Sequence, residues 1–215
     1  MPSPARGLTQ TQRVELSARK LVEAAASLIV EKGWEATTAA EIGRRAGYSR
    51  AMVHARYGNK EAILDTLFRD TYEARLDATP VAGADGLTTA LRHVDRIIEL
   101  YAEDTAFTRA VFVLAFEAVK STSPVRSRMQ QWIAGGAATV EAGLRAGLAD
   151  GSVRDGIDVE AATADISTAG LGVVYQWILF DDSQPLDGAL NTLRERIITD
   201  YGRPARRRRR IDHLP

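Results

Sequence analysis

Apolar residues recur along this chain at helical spacing with few interruptions. Val14, Ala18, Leu21, Ala25 and Leu28 fall on one face of a helix that stops at Gly33, with Trp34 just beyond. A second helix opens at Thr38, where Glu41 completes a T-x-x-E capping box and each side chain satisfies the other's free backbone donor. Ile42 and Ala46 form its inward face. Gly47 supplies a turn, Ser49 caps a third helix through about Tyr57, and Asn59 caps a fourth with Ile63, Leu64, Leu67 and Phe68 as its apolar face. The segment 78–86, ATPVAGADG, reads as a linker or loop. Beyond it the pattern predicts helices near 87–103, 106–119, 124–149, 159–180 and 186–201, separated by Ser123-Pro124, Asp150-Gly151 and the joint 181–185. There is no strand alternation of convincing length and no repeat of fixed period. The expected fold is all-α, with a three-helix unit over 10–58, a helical body over 59–202 and a basic disordered tail over 203–215.

Composition narrows the function classes. The chain has 215 residues, 45% of them apolar, which is ample for a buried core, and no apolar run approaches the roughly 20 residues of a membrane helix. The N-terminal MPSPARGLTQTQR lacks the apolar stretch of a secretory leader. There is no cysteine, hence no disulfide or thiolate metal site, which fits a reducing cytoplasm. A net charge of zero conceals an asymmetry: residues 1–65 carry ten Lys/Arg against seven Asp/Glu, residues 66–202 twelve against twenty, and residues 203–215 six against one. A basic head on an acidic body implies that one end approaches polyanions.

That head holds the strongest chemical signal. Thr37 to Lys60, TTAAEIGRRAGYSRAMVHARYGNK, sets two short helices around a Gly47-Tyr48-Ser49 joint with five basic side chains. This is the spacing of a helix-turn-helix, whose second helix fits the DNA major groove. Starting at Ser49, that helix projects Arg50, Ala51 and Met52 toward base edges. The planar guanidinium of Arg50 suits guanine O6 and N7, while Ala51 and Met52 offer apolar contact. Thr38, His54, Arg56 and Lys60 suit phosphates, which set register without reading sequence. Of Arg44 and Arg45, one faces phosphate and the other water. Tyr57 joins the set as an aromatic that also serves to pack on the preceding helix. Spacing and charge alone leave open a purely structural three-helix bundle with a solvated charged face.

The same residues carry a family resemblance. Gly33-Trp34, Thr37-Thr38, Glu41-Ile42, Ala46-Gly47, Ser49, Tyr57, Lys60-Glu61 and Leu64 together resemble the N-terminal domain of TetR-family transcriptional regulators. The match runs continuously over about 30 residues, and over about 55 with the flanking helices. It departs from the family pattern at Gly43 for Ala, Ala51 for Gly, His54 for Tyr, Arg56 for His and Tyr57 for Phe. A histidine at 54 replaces a phosphate-binding tyrosine and would grip phosphate better when protonated, giving mild pH dependence. The resemblance implies a C-terminal ligand-binding and dimerisation domain: a homodimer on a palindromic DNA operator, repressing by default and released by a small-molecule effector of unknown class. Segments 159–180 and 186–201 would form the dimer interface, with Ala161, Ala162, Ala169, Gly170 and Gly172 allowing close approach. Val173, Val174, Trp177 and Ile178 would supply apolar area. Without the resemblance, these residues serve equally well as an intramolecular core.

The effector site is less legible. Phe107, Phe112, Phe116, Trp132 and Tyr175 could line an apolar pocket, with His93, Arg109, Glu117 or Gln176 as polar handles. Arg109 could meet an acidic ligand, or a salt bridge to Glu117. The arginine run at 206–210 could add non-specific nucleic-acid affinity or merely solubilise the chain. Enzyme chemistry has little support: Gly47-Tyr48-Ser49-Arg50-Ala51 lacks the last glycine of a nucleophile elbow and no strand precedes it. The three histidines, His54, His93 and His213, sit at no metal-ligand spacing, and neither a metal nor another cofactor is expected. The remaining alternative is a helical adaptor that binds protein through its acidic body and never touches DNA.

Overall fold

The computed structural model describes residues 9–67, 82–120, 125–180 and 185–204. The described residues form nine helices: α1 Gln10–Lys32, α2 Ala39–Arg45, α3 Arg50–Tyr57, α4 Lys60–Thr66, α5 Gly86–Glu103, α6 Thr105–Glu117, α7 Arg126–Asp150, α8 Val159–Leu179 and α9 Leu186–Tyr201. The architecture is all-α, and among these residues the one β-type pairing is an isolated bridge between Val153 and Gly202. Phe68, residues 78–81 of the expected 78–86 loop, Ser123-Pro124, residues 181–184 and the arginine run lie outside the described residues.

Local chemistry accounts for most helix starts. Thr9, Thr38, Ser49, Asn59, Asp85, Asp104 and Asp158 each accept a backbone N–H of the first turn through the side chain. Thr9 and Thr38 form full capping boxes, with Gln12 and Glu41 respectively.

The first helix connects the two halves. Its buried residues Leu21, Ala24, Ala25, Leu28 and Ile29 face both the short helices α2 and α4 and the body helix α6. Within the body, α5 and α7 meet backbone to backbone. A Cβ on Gly143 would lie 2.7 Å from Ala90 Cα, and one on Gly86 would overlap Gly147, so glycine is what lets these helices touch. Asp150 holds the same junction by accepting the N–H of Gly86 at 2.7 Å and of Ser152 at 2.8 Å. These bonds, led by those from Ser152, keep its carboxyl below the usual range. The end of α9 is tied to the α7–α8 turn by Arg154 N–H to Tyr201 O (2.9 Å) and Arg203 N–H to Ser152 O (2.8 Å). Arg203 also donates to Asp155 at 2.6 Å, so this residue, counted with the tail in the sequence, is anchored to the body.

Candidate nucleic-acid interface and body cavity

The helix-turn-helix is built on the buried side chains Trp34, Ile42, Val53, Ile63 and Leu64. Gly47 makes the turn at φ 79°, a conformation that favours glycine. The Tyr48 N–H then bonds Gly43 O at 2.7 Å. Gly43 itself faces this joint: an added Cβ would lie 3.0 Å from Ser49 O, which gives the departure from alanine a steric consequence. α3 is fixed by Ser49 Oγ, which accepts the Met52 N–H at 3.2 Å, and by Val53, which is fully buried.

On that support, Ser49, Arg50, Ala51, Met52 and His54 are exposed along one side of α3. The side chain of Arg44, also exposed, makes no hydrogen bond or ion pair among the described residues. The Arg50 guanidinium has one partner there, a long 3.4 Å contact to His54 Nε2. His54 Nδ1 lies 2.5 Å from Gly58 O. The tautomer that donates there turns an unprotonated Nε2 toward Arg50, so the neutral ring has no second N–H for a phosphate.

Three other basic residues of the expected contact set are engaged inside the domain. Arg45 forms a two-pronged ion pair with Glu31 and donates to Ser27 at 2.7 Å. Glu31 is held below the usual carboxylate range chiefly by the Arg45 hydrogen bond. Arg56 donates to Ser17 on α1 at 2.9 Å, and its Nε is buried without a partner among the described residues. Lys60 Nζ donates to Trp34 O at 3.2 Å and Thr37 O at 2.9 Å while sitting 4.7 Å from the centre of the Trp34 ring. In this arrangement Arg45, Arg56 and Lys60 tie elements of the domain to one another. Tyr57 belongs with them, donating its hydroxyl to Ala18 O at 3.3 Å. The Thr38 hydroxyl donates to Glu41 at 2.7 Å, and Glu41 is pulled down to about 2 by the Lys32 ammonium first and Thr38 next.

The link from this domain to the body runs through Glu117, at the end of α6. Its carboxylate accepts the Trp34 N–H at 2.8 Å and packs so closely on Gly33 that a Cβ there would overlap it. Lys120 to Glu35 (3.2 Å) and Arg128 to Asp65 (2.5 Å) add exposed ion pairs across the same boundary. By residue type and position Glu117 suits a pocket handle or a partner for Arg109. Nothing in the sequence marks it as the acceptor for a backbone group 83 positions away.

The expected pocket aromatics separate. Phe112 and Trp132 meet edge to face at 5.7 Å and line a cavity of about 50 Å³ between α5, α6, α7, α8 and α9, together with His93, Ile133, Gly136 and Ser167. Phe116 and Tyr175 instead pack on each other at 5.1 Å away from that cavity, with Tyr175 49% exposed. Arg109 lies 4.6 Å over the Trp177 ring. With Phe107, Ala18, Val22 and Leu67 it lines a different, open groove of about 930 Å³ between α1 and the start of α6. Phe116, Tyr175 and Arg109 therefore do not line this cavity, because their positions on α6 and α8 turn them to other faces. The interface set divides too. Val174 and Trp177 are buried within the protomer, Trp177 edge-on to Tyr101 at 5.6 Å, and so supply no outward area. Gly170, Val173 and Ile178 are partly exposed.

Two family models match this chain. Residues 21–67 match that of bacterial regulatory proteins of the tetR family, and residues 89–193 match the tetracyclin repressor-like C-terminal domain. The fatty acid metabolism regulator protein of Bacillus subtilis (strain 168) is 21% identical over 183 residues, 84% of this chain and 93% of that protein. Among solved structures, the fold is similar to that of SmeT, the repressor of the Stenotrophomonas maltophilia efflux pump SmeDEF, in complex with triclosan. That match has a TM-score of 0.70 and 20% identity over 88% of this chain and 93% of SmeT. It is also similar to FadR of Bacillus subtilis bound to stearoyl-CoA, with a TM-score of 0.66 and 21% identity over 84% and 97% of the two chains. With its reading head and its helical body both matched, the chain belongs to the TetR family of transcriptional regulators, DNA-binding proteins of the repressor type and not enzymes.

Proposed function

We propose that the chain is a homodimeric repressor that binds a palindromic operator in the cytoplasm and is released by a small molecule bound in its body. The exposed side of α3, where Arg50 has only one long contact and Arg44 has none among the described residues, carries this reading. Arg50 reaches base edges with Ala51 and Met52 beside it, and Arg44 and the Ser49 hydroxyl meet the backbone. No helix among the described residues is long and apolar enough to cross a membrane.

Dimerisation uses the outer faces of α8 and α9. Ala161, Ala164, Thr168, Gly172, Tyr175 and Leu179 form a largely exposed stripe along α8, and Ile198 is exposed on α9. Nothing lies within 4 Å of a Cβ added at Gly170 or Gly172, so this face is open to a second backbone. Two-fold symmetry then presents two α3 helices to half-sites about 34–36 Å apart. Control by a small molecule is supported by relatives solved with triclosan and with stearoyl-CoA. The path in this chain is α6: Phe112 lines the cavity and Glu117, on the same helix, holds the Trp34 N–H. An effector acts only by its difference in affinity between the DNA-competent and released geometries.

Fragments selected from genomic or random DNA by the purified protein test the proposal. One palindromic site, bound by two protomers and lost in Arg44→Ala/Arg50→Ala, is the expected result. Absence of salt-dependent DNA affinity in the parent protein contradicts it and favours a protein-binding adaptor.

A further inference from the structure

The described lining of the body cavity contains no aspartate, glutamate, lysine or arginine. Apart from the Trp132 indole, its polar groups are His93 on α5 and Ser167 on α8. Ser167 Oγ is buried and has no hydrogen-bond partner among the described residues. A buried hydroxyl in that state has lost water without gaining a partner, so the site is short of one. His93 makes a tilted ring contact with Trp132 at 5.3 Å, and neither of its ring nitrogens bonds a described residue. Burial pushes its pKa below the ordinary value, so at neutral pH it is an uncharged donor and acceptor and offers no positive charge to an anion. Gly136 opens the wall beside it, since an added Cβ would lie 3.3 Å from His93 Nε2. The remaining walls are apolar, with Val94, Ile97, Phe112, Val140, Ile166 and Leu190 among them.

We infer that this cavity takes an uncharged, predominantly apolar ligand with a single hydrogen-bonding group, which His93 and Ser167 grip, and that it excludes carboxylates and phosphate-bearing thioesters. The inference rests on the reading of the body as an effector domain, and it names the class of effector. A buried anion without a counter-charge loses its hydration uncompensated, which weakens binding by more than about tenfold. The vacant space, about 50 Å³, has room for a few waters, so a ring compound widens it as it enters. Phe112 on α6 is the largest fully buried side chain in its wall.

Benzene, phenol and benzoate at pH 7 separate the contributions of apolar area, hydrogen bond and charge. The readout is a resonance titration of the full-length protein that follows the Trp132 indole N–H and the His93 ring. Phenol is expected to bind at least about tenfold more tightly than benzoate and several-fold more tightly than benzene. Ser167→Ala with His93→Phe should bring phenol down to the level of benzene, and Gly136→Leu should abolish binding of both. The proposal is overturned by benzoate binding as tightly as phenol, by no binding of either neutral probe, or by an undiminished phenol preference in the double variant. Operator binding measured on the same samples keeps the two readings apart. A protein that binds its operator but takes benzoate refutes only the ligand class, whereas one that takes phenol but binds no DNA refutes only the regulator.

Discussion

The reading head and the body strike different balances between side-chain ties and helix packing. α2, α3 and α4 have seven, eight and seven residues, well below the roughly 12–15 at which an isolated helix becomes even marginally stable. They are held by side-chain caps and by ties to their neighbours: Arg45 to Glu31, Arg56 to Ser17, Lys60 to two carbonyls, Lys32 to Glu41. The body has helices of 13 to 25 residues, and two of them meet through glycine with backbone against backbone. Most of the positive charge that makes the head look like a DNA binder is thus consumed in building it. The body has its own ties between long helices, Arg194 to Asp95 and Tyr201 to Asp165, and the Ser167 and Thr163 hydroxyls inside it have no partner among the described residues.

The sharpest break of this contrast is expected on α7. Gly143→Leu forces atoms into the α5 backbone and should cost about 3 kcal/mol or more in urea unfolding. Gly135→Ala on the same helix meets open space and should raise stability by about 0.5–1 kcal/mol. Equal effects at the two positions would remove the backbone-contact argument. At the boundary between the halves, Glu117→Ala leaves the part-buried Trp34 N–H without its acceptor. A loss of about 1–3 kcal/mol in thermal unfolding is expected. Glu117→Gln keeps an acceptor oxygen and should recover most of the loss; a glutamine as damaging as alanine would assign the effect to charge instead.

The smallest effect belongs to an exposed cap. The Glu41 carboxyl titrates near 2 in the folded head against an ordinary 4.5, because Lys32 and Thr38 hold it ionised. A depressed acid stabilises the fold above its unfolded value, and that contribution disappears as pH falls from about 4.5 to about 2. Melting temperature should fall across this window, and Glu41→Gln should flatten the fall. An unchanged profile in the variant would show that other carboxylates govern it.

Legibility followed sequence distance. The caps Thr38, Ser49 and Asn59, the turn at Gly47 and the body helices could be read because each depends on residues a few positions apart. The cavity could not, since His93, Phe112, Trp132 and Ser167 come from four helices, and helical periodicity says which residues are inward but not which share a space. Val174 and Trp177 show the same limit: an apolar stripe on α8 serves an interface or a core equally well until its neighbours Tyr101 and Arg109 are placed. Residue type also misjudged charge. Arg44 and Arg45 are adjacent and chemically identical, and only the position of Glu31, next to last in α1, separates the outward arginine from the tied one.

That separation of cations is the central claim, and the salt dependence of operator affinity tests it most directly. Each phosphate neutralised contributes about 0.9 to the slope of log affinity against log salt, so removing one contact lowers the slope by about one per subunit. Arg44→Gln should lower the slope by that amount, and Arg50→Ala should cost about 1–3 kcal/mol with relaxed specificity. Arg45→Gln, Arg56→Gln and Lys60→Gln should lower thermal stability while leaving the slope of the folded protein unchanged. A slope that falls equally for Arg45, Arg56 or Lys60 and for Arg44 would contradict the account.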